Sequence, residues 1–343
     1  MSRKIKYLLI IFFGLAVIVF LYFKGSFLPA VQAKAEGKFV LVYHGNNLQN
    51  VADSLVARGY INSSSELLKT ARLMRFSNDD LREGRFKIIP GWNLIRLLDE
   101  MARGPQVPVK LVINPVRTIE NLAALIGKNL EYDSIHFIET FLNPELLRAN
   151  GVDTANALSL FIPNTYEFFW NISPESFMQK MVAENKKFWS ARDRVERLDS
   201  LHLSKDQVYT LASIVDKESR NNSEKPAIAG LYLNRLKNNM RLQADPTVVF
   251  ANGDFTVKRI SQRMVELNSP YNTYRVDGLP PGPIYMASIA GIDAVLHYEK
   301  HEYLYMVARP DYSGFHDFSE TFESHRQKAN KYRDWLTSQG LGL

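Results

Sequence analysis

Hydrophobic and polar positions follow three different patterns along the chain. The first is an unbroken apolar run, Tyr7 to Phe23 (YLLIIFFGLAVIVFLYF). As a helix it is about 26 Å long, close to the hydrocarbon thickness of a bilayer. Arg3, Lys4 and Lys6 precede it. The positive-inside rule therefore predicts a signal anchor over 1–24, a single pass with the N-terminus cytoplasmic and the rest of the chain extracytoplasmic. A cleaved signal peptide is the competing reading, but its small-residue site, Val31-Gln32-Ala33, lies well past the run. Residues 25–38 mix small, polar and charged side chains and read as a linker.

The second pattern recurs three times. VLVYHGNNLQNVADSLVARG (40–59), FKIIPGWNLIRLLDEMARG (86–104) and LVINPVRTIENLAALIGKNL (111–130) each give a short β-branched or aromatic strand, a turn, and a helix with apolar residues at helical steps. Gly45 and Leu48 of the first match Gly91 and Leu94 of the second; the third has Val116 and Ile119. Such strand-turn-helix units resemble the small LysM module, which in many proteins binds bacterial cell-wall glycan. The same pattern also encodes ordinary small α+β packing, so both readings stand.

The third pattern is helical, interrupted by loop signals at Asn143-Pro144, Asn150-Gly151, Ile162-Pro163-Asn164 and Ser173-Pro174. The aromatic stretch SLFIPNTYEFFW (159–170) assigns Phe168 and Phe169 to the core and leaves Tyr166 open as a sugar platform. A helix starts at Ser204, with Gln207 at capping-box spacing. Val208, Leu211, Ile214 and Val215 form its apolar face. Glu218 falls roughly 20° from Leu211 and continues that face, whereas Asp216 points away, with Arg220 as a surface partner. On spacing alone Glu218 is either a frayed, solvated side chain or a carboxyl held in a partly apolar cleft and protonated near neutral pH. A second helix from near Ser223 carries Ile228, Leu231, Leu233 and Leu236, with the polar pair Asn234-Arg235 inside it. Two polar, Pro- and Gly-rich stretches follow, RLQADPTVVFANG (241–253) and NSPYNTYRVDGLPPGPIY (268–285), as a rigid loop lining a polar cleft would have.

Composition narrows the chemistry. The 343 residues contain no cysteine, which excludes thiol catalysis, disulfides and Cys-based zinc sites. The net charge of +6 is scattered, with no basic stripe of the kind that marks nucleic-acid binding. His297 and His301 have the spacing of a metal pair with Glu299 between, but no third ligand is suggested; neither metal nor cofactor is expected.

LASIVDKES (211–219), LYLNRLKNNMRLQADPTVVFANG (231–253), NSPYNTYRVDGLPPGPI (268–284), EYLYMVA (302–308) and GFHDFSETFESH (314–325) together resemble the YceG-like, or MltG, endolytic murein transglycosylases. Asp216 stands where many members have Glu, and YMASIAG follows GLPPGPI where relatives usually have Asn-Pro-Gly. The resemblance implies that Glu218 is the catalytic acid. It also implies a lytic reaction that leaves 1,6-anhydro ends and cuts nascent strands near the membrane, with peptidoglycan synthases as further partners. Gln243, Asp245, Thr247, Asn272 and Tyr274, with Tyr166, are candidates for substrate contact, or equally for structural hydrogen bonds; His316 and His325 lie in the same matched segments. A water-using muramidase with Asp245 or another acid as second carboxylate, and a non-enzymatic wall-binding scaffold, are the alternatives. The expected fold is α+β. A transmembrane helix leads into a LysM-like α+β subdomain (39–130). A mixed α/β catalytic domain follows (131–343), with a helical lead-in (131–203) and a motif-bearing core (204–325) that carries the Glu on a helix.

Overall fold

The computed structural model describes residues 3–257 and 259–341, and the fold is α+β, mostly helical with three two-stranded sheets. The chain forms two compact units. One comprises the residues up to Leu111 with Asn129–Tyr132 and Glu167–Ser173; the other comprises Val112–Lys128, Asp133–Tyr166 and the chain from Pro174 on.

The first unit opens with α1 (Arg3–Phe27), then β1 (Phe39–Val42), α2 (Leu48–Ala57), α3 (Ser64–Met74), β2 (Gly84–Lys87), α4 (Leu94–Arg103) and the start of β3 (Val109–Ile113). β1 and β2 pair antiparallel, from Phe39 opposite Lys87 to Val42 opposite Gly84. The helices bury Leu55, Leu67, Leu97, Leu98 and Met101 against Val40, Val42 and Phe86 of the strands. Each predicted strand-turn-helix unit is present, the third continuing into α5 (Ile119–Gly127). Each of the three helices is capped by a side chain, Asn47, Asn93 and Thr118 accepting from the backbone N–H three residues on. The matched Gly45 and Gly91 have φ of 70° and 84°, a turn conformation that a side chain disfavours.

Residues 25–38, expected as a linker, are packed onto this unit. Ser26 is buried with its hydroxyl 2.7 Å from that of Thr70, the N–H groups of Ala30 and Val31 donate to Trp92 O, and Val31 and Ala35 are buried. α1 leaves Leu8, Ile11, Phe12 and Ile18 exposed. Among the described residues no helix is long and apolar enough to cross a membrane. The side chains of Tyr22 and Phe23, at the end of the predicted span, and of Arg3 and Lys4, on which its orientation rests, lie outside the described set.

The second unit contains α6 (Ser134–Phe141), α7 (Pro144–Ala149), most of β4 (Asn164–Phe168), α8 (Pro174–Trp189), α9 (Arg192–Leu201), α10 (Lys205–Glu218), α11 (Lys225–Lys237), α12 (Asp245–Asn252), α13 (Gln262–Val265), α14 (Ile289–Leu296), the antiparallel pair β5 (Tyr305–Ala308) and β6 (His316–Ser319), and α15 (Phe322–Ser338). Phe137, Phe141, Phe161 and Phe177 meet at ring separations of 4.8 to 5.8 Å. Phe168 is buried as expected, but Phe169 is 57% exposed, because successive residues at the end of a strand face opposite ways.

α10 starts with the predicted capping box, Ser204 and Gln207 bonding each other's backbone N–H at 3.2 and 2.9 Å. It is not the one-sided helix the apolar spacing predicts. Every residue from Val208 to Val215 is buried, since α11, α12 and α14 all pack against it. The expectation for Asp216 therefore fails: its side chain is only 7% exposed and its partner is Lys225, at 2.7 Å, not Arg220. Asp216 also accepts from Ser288 N at 2.6 Å and Ser288 Oγ at 2.9 Å, which ties α10 to the start of α14. Gly291 lets this happen, because a Cβ there would sit 2.6 Å from the carboxylate. Replacing Asp216 by Ala strands a buried ammonium and should cost about 3–5 kcal/mol, read as a lowered urea midpoint; Asp216→Asn, which can still accept from Ser288, should cost less.

Candidate active site

Glu218 is the last residue of α10. Oε1 accepts a 2.6 Å hydrogen bond from the Tyr232 hydroxyl, which α11 carries in its buried face. Burial pushes the Glu218 carboxyl up to about 7; the Tyr232 hydrogen bond opposes this, the nearby Asp245 charge adds to it and Arg235 opposes it. At neutral pH the group is poised between acid and carboxylate.

One turn after Tyr232, Arg235 is held by carbonyls. Its Nε donates to Leu304 O at 2.7 Å, and its Nη1 to Arg241 O and Leu242 O at 3.0 and 2.9 Å, and to Gln243 Oε1 at 3.2 Å. The charge is therefore fixed in position beside Glu218. Gln243 has φ of 50°, a conformation that costs a non-glycine residue on the order of 1 kcal/mol. Its N–H donates to Thr273 O. Asp245 opens α12, and its Oδ1 accepts from the Tyr274 hydroxyl at 2.6 Å.

Glu218, Tyr232, Arg235, Gln243, Asp245 and Tyr274 line one cavity of about 450 Å³, together with Tyr305, His316 and His325. Of the candidates from sequence, Glu218, Gln243, Asp245 and Tyr274 are thus brought together. Thr247 and Asn272 stand behind them, fully buried. The Thr247 hydroxyl bonds Ala244 O at 2.6 Å and the Thr273 hydroxyl at 2.8 Å. Asn272 donates to Val265 O and Leu267 O and accepts from Tyr274 N. They clasp the two loops that present Gln243, Asp245 and Tyr274. Tyr166 is outside the cavity lining, buried with its hydroxyl on Ile162 O at 2.7 Å.

Tyr232, Arg235 and Tyr305 were not singled out as site residues from the sequence. The one signal for Arg235 was a cation inside an otherwise apolar helix. His316 pairs with Glu224, its N–H on Oε1 at 2.6 Å and its Nδ1 3.0 Å from Oε2. His325 stacks on Tyr305 with ring centroids 5.4 Å apart, and burial, Arg235 and Lys328 hold its pKa below the ordinary value. His301 is occupied by Ala227 O, Tyr303 N and Asn234, and His297 by Asp293 O. Among the described residues no group of three potential ligands is placed to hold a metal.

The YceG-like family model matches residues 40–331, so it takes in both units and every residue of this cavity. The chain belongs to the YceG-like family. A YceG-like relative from Bacillus subtilis (strain 168), named endolytic murein transglycosylase, is 26% identical over 91% of this chain and 89% of its own length. A protein of the same name from Streptococcus pneumoniae serotype 2 is 26% identical over 84% of the chain, which spans 57% of that protein's length. A crystal structure of a yceG-like protein from Listeria monocytogenes superposes with a TM-score of 0.57 at 27% identity, covering 84% of this chain and 97% of that one.

Two measurements test the electrostatics of the Glu218 environment. Tyr232→Phe removes a hydrogen bond that favours the carboxylate, so the Glu218 titration, followed by carboxyl-carbon NMR, should move upward by on the order of one pH unit. A carboxyl raised in the folded state contributes stability that is full below its unfolded pKa and is lost as pH rises through about 7. Glu218→Gln should therefore stabilise the protein at pH 8, by up to about 3 kcal/mol, and by much less at pH 5. Urea titrations at the two pH values check this.

Proposed function

We propose that the protein is an endolytic peptidoglycan lytic transglycosylase that breaks the bond between N-acetylmuramic acid and N-acetylglucosamine. The observation that carries this reading is a carboxyl, Glu218, held at about 7 in a polar cleft, in a chain whose relatives are named for that activity. Protonated Glu218 gives its proton to the glycosidic oxygen as the bond to C1 of the muramic residue breaks. The C6 hydroxyl of the same sugar then attacks C1 and returns its proton to the Glu218 carboxylate. The product carries a 1,6-anhydro end, no water is consumed, and the acid is regenerated. Tyr232 and Arg235 favour the carboxylate form that exists between the two proton transfers. Gln243, Asp245 and Tyr274 are the contacts proposed for the sugars, and Asp245 adds negative charge near a developing oxocarbenium.

Glu218 and Asp245 line a second cavity as well as the first, which supports cleavage within a strand rather than at its end. The predicted membrane anchor, N-terminus inside, would hold the protein on the outer face of the cytoplasmic membrane beside nascent strands and their synthases, so that cutting there terminates elongation. The β1-α2-α3-β2 order, with β1 and β2 antiparallel, supports a LysM-like, glycan-binding role for the first unit. The second reading, a hydrolase, draws on Asp245, whose charge reaches Glu218 and which could activate water.

Mass spectrometry of fragments released from purified glycan strands decides between the two. Anhydro ends, one water lighter than reducing ends, are expected; reducing ends would establish the hydrolase. Glu218→Gln should lower the rate at least about 100-fold with the fold intact by circular dichroism. For wild type, kcat/KM should fall as pH rises through about 7, as the acid loses its proton. A fully active Glu218→Gln enzyme would remove Glu218 from the mechanism.

A further inference from the structure

The cavity that lies beyond Glu218 and Asp245 is built differently from the sugar cleft. It holds about 720 Å³, and its walls are apolar, from Val249 and Phe250 on α12, Phe255 after it, Ile284 before α14 and Leu336 on α15. Four cations line it as well: Arg117, Lys217, Arg259 and Arg333. Among its described lining residues the carboxylates are Glu218 and Asp245, which also line the cleft.

Among the described residues none of the four cations makes a salt bridge. Arg117 sits over the Phe255 ring at 3.7 Å and Lys217 over the Tyr285 ring at 4.4 Å. Arg259 donates to Leu341 O at 3.5 Å, and Arg333 to Ala329 O and the Asn330 side chain. Burial, Arg117 and Arg220 hold the Lys217 ammonium below its ordinary pKa against the opposing charge of Asp216. Such a cavity attracts an anion that also carries apolar surface.

A strand of N-acetylated sugars offers no such group by itself, because the lactyl carboxyl of each muramic residue is bound as an amide to its peptide stem. The stem supplies both properties, free carboxylates and the methyl groups of its alanines. Resting on the transglycosylase reading, we infer that the second cavity binds the peptide stem of a muramic residue beside the scissile bond. Its carboxylates lie against Arg117, Lys217, Arg259 and Arg333, and its alanine methyls against Val249, Phe250 and Ile284. The enzyme is then selective for strands whose stems are intact.

Two arms test this with the full-length chain. In the first, isothermal titration measures a synthetic stem pentapeptide with free carboxyls, and the same peptide with its carboxyls amidated, against the Glu218→Gln protein. The free acid should bind at least about 10-fold more tightly, and Arg259→Gln with Arg333→Gln should weaken it by a similar factor, as losing about 1.4 kcal/mol does. Both substituted side chains are on the surface, and an unchanged thermal melt confirms that folding is not the cause. In the second arm, wild-type kcat/KM for stem-bearing strands should exceed that for strands whose stem carboxyls are amidated at least about 10-fold, the ratio collapsing toward one in the double variant. Equal binding of free and amidated peptide, inorganic pyrophosphate binding in place of the peptide, or an unchanged ratio would overturn the stem assignment. Binding of the acid peptide by a chain that cleaves neither strand would sink the transglycosylase reading and leave this one standing. Cleavage of both strands equally, without peptide binding, would do the reverse.

Discussion

The constraint on which the second unit depends is the burial of α10 on every side from Val208 to Val215. A helical stretch with no solvated face must answer each of its polar side chains from within the protein. Tyr209 donates to Phe161 O, and Ser213 donates to Thr210 O while accepting from Ile284 N. Asp216 gathers Lys225 and Ser288. These bonds fix α11 and the loop before α14 against α10, and they leave Glu218 where the helix ends and the cleft begins. The raised carboxyl is thus a product of the scaffold: burial raises it and the Asp245 charge adds to that.

Much of this was legible in the sequence. The capping box at Ser204, the helix after Ser223, the three strand-turn-helix units and the paired glycines at 45 and 91 rest on local rules that tertiary packing did not override. The helical wheel also placed Glu218 correctly, but misjudged Asp216. A wheel registers large apolar residues, and α10 hides its remaining faces with Thr210, Ala212 and Ser213, residues small enough to pack closely yet silent or polar in a hydrophobic count. Gln243, Asp245 and Tyr274 could be named because they sit in polar loops of unusual composition. Thr247 and Asn272 sit in the same loops and differ only in which way they point, which no sequence pattern reports. Tyr232 and Arg235 were out of reach for another reason: their role arises from α11 lying against α10, a relation across space.

Several local choices at the cleft are unfavourable taken singly. Gln243 is left-handed, Glu218 is desolvated, and Asp245 stands near enough to feel its charge. They persist because what lies behind them is over-determined. The Thr247 and Thr273 hydroxyls, the bonds of the Asn272 side chain to backbone and the carbonyl cradle around Arg235 hold the loops from the rear. Strain at the front of a site and redundancy behind it are two sides of one arrangement.

The docking of residues 25–38 onto the first unit changes what a tether from α1 would be. A free linker of that length lets its cargo wander about 20 Å, diluting it through a hemisphere of solvent. Here the Ser26–Thr70 contact and the bonds to Trp92 O remove that freedom. A bilayer that held α1 would hold the first unit at one height and with one side turned toward the lipid. Its local concentration would be confined to a thin layer along the surface, and the helix would serve as a mount rather than a leash.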